Sequence, residues 1–197
     1  MKTPAGRGKL RRMATPFHVR HAAGILTAGG LVACPTEAVY GLHCDPLNPA
    51  AVLRLLACKR RPLAKGLILV AADADMLLPW LAPLPVAARR RMAAAWPGPV
   101  TFVCPAAPWV PDWIRGEHDS LAVRVTDHPL LAALSRRFGG PLVSTSANPA
   151  GHRPARTPLK VRRYFDGKVD VILHAPLGGR ARPTTIRDVL TGEVLRE

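Results

Sequence analysis

The sequence predicts an α/β fold, a twisted mixed sheet with helices on both faces, and three observations carry that expectation. Apolar segments of helical and of strand length alternate along the chain, the pattern of a sheet covered by helices. Strand-length runs then crowd together after Val100, which favours a mixed sheet over a strictly doubly wound one. Finally, 197 residues with 48% hydrophobic content suffice for one well-packed domain and fall short of two ordinary ones. The expected organisation is a basic tail over residues 1–16 and a single domain over residues 17–197.

Taken in order, Phe17 to Ala28 reads as a helix, with Phe17, Ile25 and Leu26 among its apolar positions and Gly29-Gly30 as its stop. Leu31 to Cys34 follows as a short buried strand. Helical patterns recur at Pro49 to Cys58, Ala74 to Leu81, Pro85 to Ala95 and Pro129 to Phe138, each bounded by Pro, Gly or Asp. Further strands are expected at Gly66 to Ala71, Val100 to Cys104, Ser120 to Val125, Pro141 to Thr145, Val169 to His174 and Thr185 to Leu190.

Composition excludes several classes. The longest uncharged apolar stretch, Gly66 to Ala72, is far below the ~20 residues that span a bilayer. The N-terminus lacks the apolar segment of a secretory signal, so a soluble, cytoplasmic protein with no membrane partner is expected. Cys34, Cys44, Cys58 and Cys104 show no C-x-x-C spacing and lie mostly in or beside apolar runs, which predicts reduced, partly buried thiols and no metal site. Lys and Arg number 28 against 13 Asp and Glu, a net charge of +15. Polyanions such as RNA, or phosphorylated substrates, are the natural partners of such a surface. Arg supplies 22 of the 28 positive charges, however, a bias that a GC-rich genome produces as readily as a designed surface.

In α/β folds ligands gather at strand ends, where loops and helix termini expose backbone N–H groups. Three segments place short polar side chains at the tips of apolar strands: Pro35 to Gly41 (PTEAVYG), Ser144 to Asn148 (STSAN) and Arg182 to Asp188 (RPTTIRD). Each admits a plainer reading as a turn or a helix cap. A fourth segment, Lys59 to Lys65 (KRRPLAK), joins a helix to a buried strand. A helix C-terminus explains Lys59 and Arg60 through its dipole, but not Arg61 and Lys65 beyond it. A planar guanidinium and a mobile ammonium together suit a polyphosphate. No G-x-x-x-x-G-K-[ST] loop occurs, so side chains and strand-end hydroxyls would have to hold a nucleotide. Arg124 interrupts the apolar run around it, and a buried cation there needs an anion, whether a substrate carboxylate or a structural partner such as Asp127 or Asp119.

Together, Pro35 to Leu42 (PTEAVYGL), Lys59 to Leu69 (KRRPLAKGLIL), Trp96 to Phe102 (WPGPVTF), Ser120 to Pro129 (SLAVRVTDHP), Pro141 to Asn148 (PLVSTSAN) and Pro183 to Asp188 (PTTIRD) resemble the YrdC/TsaC family of threonylcarbamoyl-AMP synthases. The resemblance runs from about Phe17 to the C-terminus and matches the short, single-domain form. It implies a YrdC-like sheet with a basic concave cleft. It also implies an enzyme, a nucleotidyltransferase, that makes L-threonylcarbamoyladenylate and pyrophosphate from L-threonine, bicarbonate or CO2, and ATP. A separate threonylcarbamoyl transferase complex would take the product to tRNA, and tRNA itself is a further candidate partner.

Carried over by residue, the family's K-x-R signature falls on Lys59 and Arg61, which would act in catalysis and hold ATP phosphates. Its S-x-N signature falls on Ser146 and Asn148, with Ser144 alongside, and Lys65 and Arg196 are further nucleotide contacts. The threonine pocket maps onto Thr36, Arg124 and Thr185. ATP is a substrate, and Mg²⁺ would be carried mainly by its phosphates. The chain departs from the family pattern at His43, where many relatives have Gly, at Ala150, where a Ser is frequent, and at Thr184, which replaces a Ser. Two other readings stay open: a non-catalytic module binding tRNA or double-stranded RNA through charge, and a carbamoyl-transfer domain like those of hydrogenase-maturation proteins.

Overall fold

The computed structural model describes residues 14–180 and 184–196; residues 1–13 of the expected tail, and Arg182 and Pro183 of the third polar segment, lie outside them. Its helices are α1 (Pro16–Thr27), α2 (Pro49–Lys59), α3 (Val86–Ala95), α4 (Asp112–Arg115), α5 (Pro129–Phe138) and α6 (Pro158–Phe165). The strands are β1 (Val32–Pro35), β2 (Tyr40–Cys44), β3 (Ile68–Ala71), β4 (Val100–Pro105), β5 (Ser120–Val125), β6 (Leu142–Ser146), β7 (Val171–Ile172), β8 (Thr185–Asp188) and β9 (Val194–Arg196). They form one mixed sheet in the order β7-β1-β2-β6-β3-β5-β4-β8-β9. The β1–β7, β3–β5 and β4–β8 pairs are parallel and the rest antiparallel.

Strand alternation divides the apolar side chains between two cores. Tyr40 and Leu42 of β2, Leu69 and Ala71 of β3, Phe102 of β4, Leu121, Val123 and Val125 of β5 and Val143 of β6 share the larger core with α2, α3, α4 and α6. Val32 and Cys34 of β1, Val70 of β3 and Leu142 of β6 point the other way, onto Leu26 of α1 and Leu131 and Leu134 of α5. The second layer is therefore narrow. Beyond it, the same face of the sheet stays open, and the polar strand ends collect there.

Local chemistry explains several boundaries. Asn48 caps α2 by accepting a 3.0 Å hydrogen bond from the Ala51 N–H, and Pro49 follows at the first helical position. At the other end Arg60 takes a left-handed conformation, φ +54°, so that the Arg61 N–H reaches back to the Leu56 carbonyl at 3.0 Å. Thr157 caps α6 in the same way, accepting from Lys160 N–H at 3.2 Å.

The structure differs from the sequence reading in several places, α4 among them, for which no helix was expected. The helix expected at Ala74 to Leu81 is a pair of 3-10 turns, Ala74–Met76 and Leu78–Trp80, because Pro79 has no N–H to continue an α-helix. The strand expected at Val169 to His174 shrinks to Val171–Ile172. β2 forms where only a polar loop was read, and its five residues are all buried. β9 and α6 likewise carried no recognised signal.

Candidate active site

The open face holds a cavity of about 400 Å³, lined by residues from the three polar strand-end segments and from the basic loop after α2. Thr36 and Glu37 come from the β1–β2 loop, Gly41 from β2, Ser144 and Ser146 from β6, and Arg124 from β5. Arg61 enters from the loop after α2, Thr184 from the residue just before β8 and Arg196 from β9. These positions are far apart in sequence and meet because β2, β6, β3 and β5 are neighbours in the sheet.

One end of the cavity is a buried ion pair. Arg124 Nη1 lies 2.8 Å from Glu37 Oε2, and Thr126 Oγ1 donates to Glu37 Oε1 at 2.5 Å. Neither Asp127 nor Asp119 is the partner of Arg124: Asp127 pairs with Arg180 and Asp119 with Arg115. Burial pushes the Glu37 carboxyl up, but Arg124 and the Thr126 hydroxyl outweigh it, and the net direction is downward. Arg124 keeps capacity in reserve, since its buried Nε has no hydrogen-bond partner among the described residues. Thr36 Oγ1 donates to Val39 O at 2.8 Å, and Thr101 and Thr184 hydroxyls lie 3.2 Å apart, so two hydroxyl oxygens border this end. Thr184 lines the cavity and Thr185 does not, because Thr185 is the next residue along β8, paired with Val100.

The other end is cationic. Arg61 donates to the carbonyls of Lys65 at 3.3 Å and Gly66 at 3.0 Å, and its buried Nε has no hydrogen-bond partner among the described residues. Burial, then the nearby Arg196 charge, holds the Arg61 guanidinium below its usual pKa. Lys59 is buried behind this wall: its ammonium donates to the carbonyls of Ser146 and, at 2.8 Å, Asn148. Burial, then Arg61, lowers its pKa to about 8. Neither cation has a carboxylate partner among the described residues. Two neighbouring positive groups held only by carbonyls make a site of unbalanced charge, which a polyanion would complete.

The remaining expected residues fall around this frame. Asn148 organises the turn after β6, accepting from Ser146 Oγ at 2.6 Å and donating to the carbonyls of Pro149 and His152. Lys65 lies in an adjoining hollow of about 290 Å³ that shares Arg61 and Arg196 with the cavity. His43 is buried, with Nδ1 3.2 Å from the Val143 carbonyl and Nε2 without a hydrogen-bond partner among the described residues, and burial lowers its pKa to about 4. A Cβ on Gly41 would come within 2.7 Å of that Nε2, so the two positions are sterically linked. Glu37, Thr145 and Thr184 are polar lining residues to which the sequence reading gave no role in the site. A lone acid inside an apolar stretch was the available signal for Glu37, and strand alternation for Thr184.

Comparison with known proteins follows the same lines. The family model described as Sua5_yciO_yrdC, telomere recombination, matches residues 24–197. The threonylcarbamoyl-AMP synthase of Halorhodospira halophila is 56% identical over 92% of this chain and 95% of its own length. That of Methylococcus capsulatus is 55% identical over 91% of this chain and 97% of its own. Among solved structures, P. abyssi Sua5 complexed with L-threonine superposes with a TM-score of 0.85 at 32% identity, covering 90% of this chain but only 52% of that one. With a fold, a polar strand-end cavity and near full-length similarity in agreement, this chain belongs to the Sua5/YciO/YrdC family.

Proposed function

We propose that this protein is an L-threonylcarbamoyladenylate synthase, a nucleotidyltransferase that joins L-threonine, bicarbonate or CO2, and ATP and releases pyrophosphate. The observation that carries the reading is the identity above 50%, over nearly the whole chain, to relatives named threonylcarbamoyl-AMP synthase. The cavity supports it at both ends. The Arg124–Glu37 end offers a cation for an amino-acid carboxylate, an anion for its ammonium, and the hydroxyls of Thr36 and Thr184 for a polar side chain. The Arg61–Lys59 end, with Arg196, Lys65 and the hydroxyls of Ser144 and Ser146, suits a triphosphate.

In this reading the threonine ammonium first gives up a proton to solvent; the free amine then attacks CO2, forming an N–C bond and an N-carboxylate as a second proton leaves the nitrogen to solvent. That carboxylate oxygen attacks the α-phosphorus of ATP, and the Pα–O bond to pyrophosphate breaks. No side-chain nucleophile takes part. The protein contributes positioning and fixed charge opposite the leaving pyrophosphate, the role of Arg61 and of Lys59 behind it. Among the described residues the cavity lining offers a single carboxylate, Glu37, already accepting from Arg124 and Thr126, so Mg²⁺ would be carried mainly by the phosphates. The product then serves tRNA modification through a transferase complex, in the cytoplasm. No described helix is long and apolar enough to cross a membrane. The similarity to named synthases favours catalysis over the RNA-binding module, whose support is charge alone.

Pyrophosphate release tests the assignment. It should require ATP, L-threonine and bicarbonate together, and fall sharply with L-valine, because unpaired pocket hydroxyls cost ~1–3 kcal/mol each. Equal turnover of valine and threonine would remove the pocket assignment; turnover without either would remove the reaction.

A further inference from the structure

Beside the cavity, the N-terminal part of α1, the helix α5 and the segment 175–179 enclose an open groove of about 980 Å³. Its floor is apolar, with Val19, Leu130, Ala133 and Leu177 contributing, and at this volume it takes several side chains at once. Arg20 and Arg137 also line it, both exposed, and among the described residues no carboxylate does. Neither arginine joins an ion pair among the described residues. The segment that walls the groove also reaches the cavity. His128 Nε2 lies 3.1 Å from Pro176 O, the Gly178 N–H donates to Thr36 O at 3.1 Å, and the Arg180 N–H donates to Glu37 O at 3.0 Å.

We propose that this groove is a docking surface for a partner protein presenting apolar anchors flanked by acidic side chains. Charge selects that occupant. Residues 1–13, which precede the groove's edge at Ala14, carry five positive side chains and no negative ones, so they would meet Arg20 and Arg137 with like charge. A second copy of this chain brings a net charge of +15 to the same arginines. Nucleic acid has the right sign but would set its phosphates against an apolar floor. A segment with apolar residues on one face and Asp or Glu beside them satisfies both floor and rim, the recognition mode of a helix laid in a groove. Its seat against 175–179 puts it in contact with the backbone that frames Thr36 and Glu37.

The test is a phage-displayed library of short random peptides panned against the full chain, with Ala133→Arg, which fills the groove, as counter-selection. Binding is read without ATP or threonine, so the result is independent of the proposed reaction. Enriched peptides should carry Leu, Ile or Phe at helical spacing next to Asp or Glu. They should bind Arg20→Glu/Arg137→Glu about tenfold more weakly. A chain starting at Met13 should bind them as the full chain does. Four results would overturn the proposal: no peptide that distinguishes the chain from Ala133→Arg, basic or uncharged winners, binding that appears only once the residues before Met13 are removed, or self-association of the full chain that Ala133→Arg abolishes. Circular dichroism of each variant keeps misfolding apart from lost docking.

Discussion

Arg60 and Arg61 are adjacent and carry the same charge, yet the fold gives them opposite surroundings. Arg60 ends α2 in the left-handed region and is exposed, whereas Arg61 is half-buried, tied to two carbonyls and part of the cavity wall. If Arg61 grips phosphate with its planar fork, Arg61→Lys keeps the charge and loses the geometry. We expect kcat/KM for ATP to fall by about 2–4 kcal/mol in transition-state stabilisation. Arg60→Gly removes an exposed side chain that does not line the cavity, at a φ that glycine adopts without strain, and should leave pyrophosphate release unchanged. Comparable losses in both variants would reduce the loop to a solvated basic patch. Lys59 adds a pH dependence. Burial, reinforced by Arg61, holds its folded-state pKa at about 8, below its ordinary 10.5, so in the free enzyme its charge is lost as pH rises through about 8. Bound phosphates favour the ammonium and raise that pKa again. Accordingly kcat/KM for ATP should decline above about pH 8, while kcat at saturating ATP holds to higher pH. A pH profile with the two limbs superimposed would mean that Lys59 does not answer to the phosphates.

At the scale of elements, a pair of glycines fixes the loop that carries Arg61. A Cβ on Gly116 would stand 2.4 Å from the Ala64 carbonyl oxygen, and one on Gly66 2.8 Å from that of Arg115, so two backbones cross where no side chain fits. Both residues also have positive φ, +67° and +58°. Gly116→Ala should therefore push the 63–66 turn outward, costing about 1–3 kcal/mol of stability and raising KM for ATP more than KM for threonine. Thermal unfolding and separate KM measurements check the two halves of that expectation, and an unchanged KM for ATP would show that the turn does not position Arg61. The same elements show what the sequence made legible. The two helices that wall the groove, and strands β4, β5 and β6, stood out because each is a long apolar pattern with clear punctuation. β2 did not, since Tyr40 to Cys44 includes Gly and His, and its strand character comes from neighbours on both sides. α6 begins with Pro158 and carries three basic residues, so its apolar face, Val161 and Phe165, is thin in sequence though buried in the fold. Of the site, the residue types and their segments were readable. The Arg124–Glu37 pair was not, because it links positions 87 residues apart and only sheet order brings them together.

For the whole molecule the question is what the net charge of +15 serves, since the cavity uses few of the 28 basic residues. Location separates two electrostatic roles. Lys59 and Arg124 are buried and Arg61 is half-buried, where salt screens weakly, while Arg89 and Arg90 of α3, Arg162 and Arg163 of α6 and the five basic residues before Met13 belong to exposed helical faces or to the N-terminal stretch of the sequence. If the surface charge recruits tRNA, its contribution follows counterion release, and the logarithm of the binding constant falls steeply with the logarithm of salt concentration. Removing the residues before Met13 should then lower that slope, by at most about 4.5 if all five cations contact phosphate at ~0.9 each. Adenylate synthesis should behave differently. With ATP held by partly desolvated groups, kcat/KM should change only a few-fold across the same salt range, and the chain starting at Met13 should keep full pyrophosphate release. Filter binding of tRNA and pyrophosphate release, both followed through one salt titration on both chains, make the separation visible. Parallel, steep decline of the two signals in the full chain would place catalysis and RNA on one shared surface. Loss of pyrophosphate release in a folded chain starting at Met13 would make the basic N-terminal stretch part of the site.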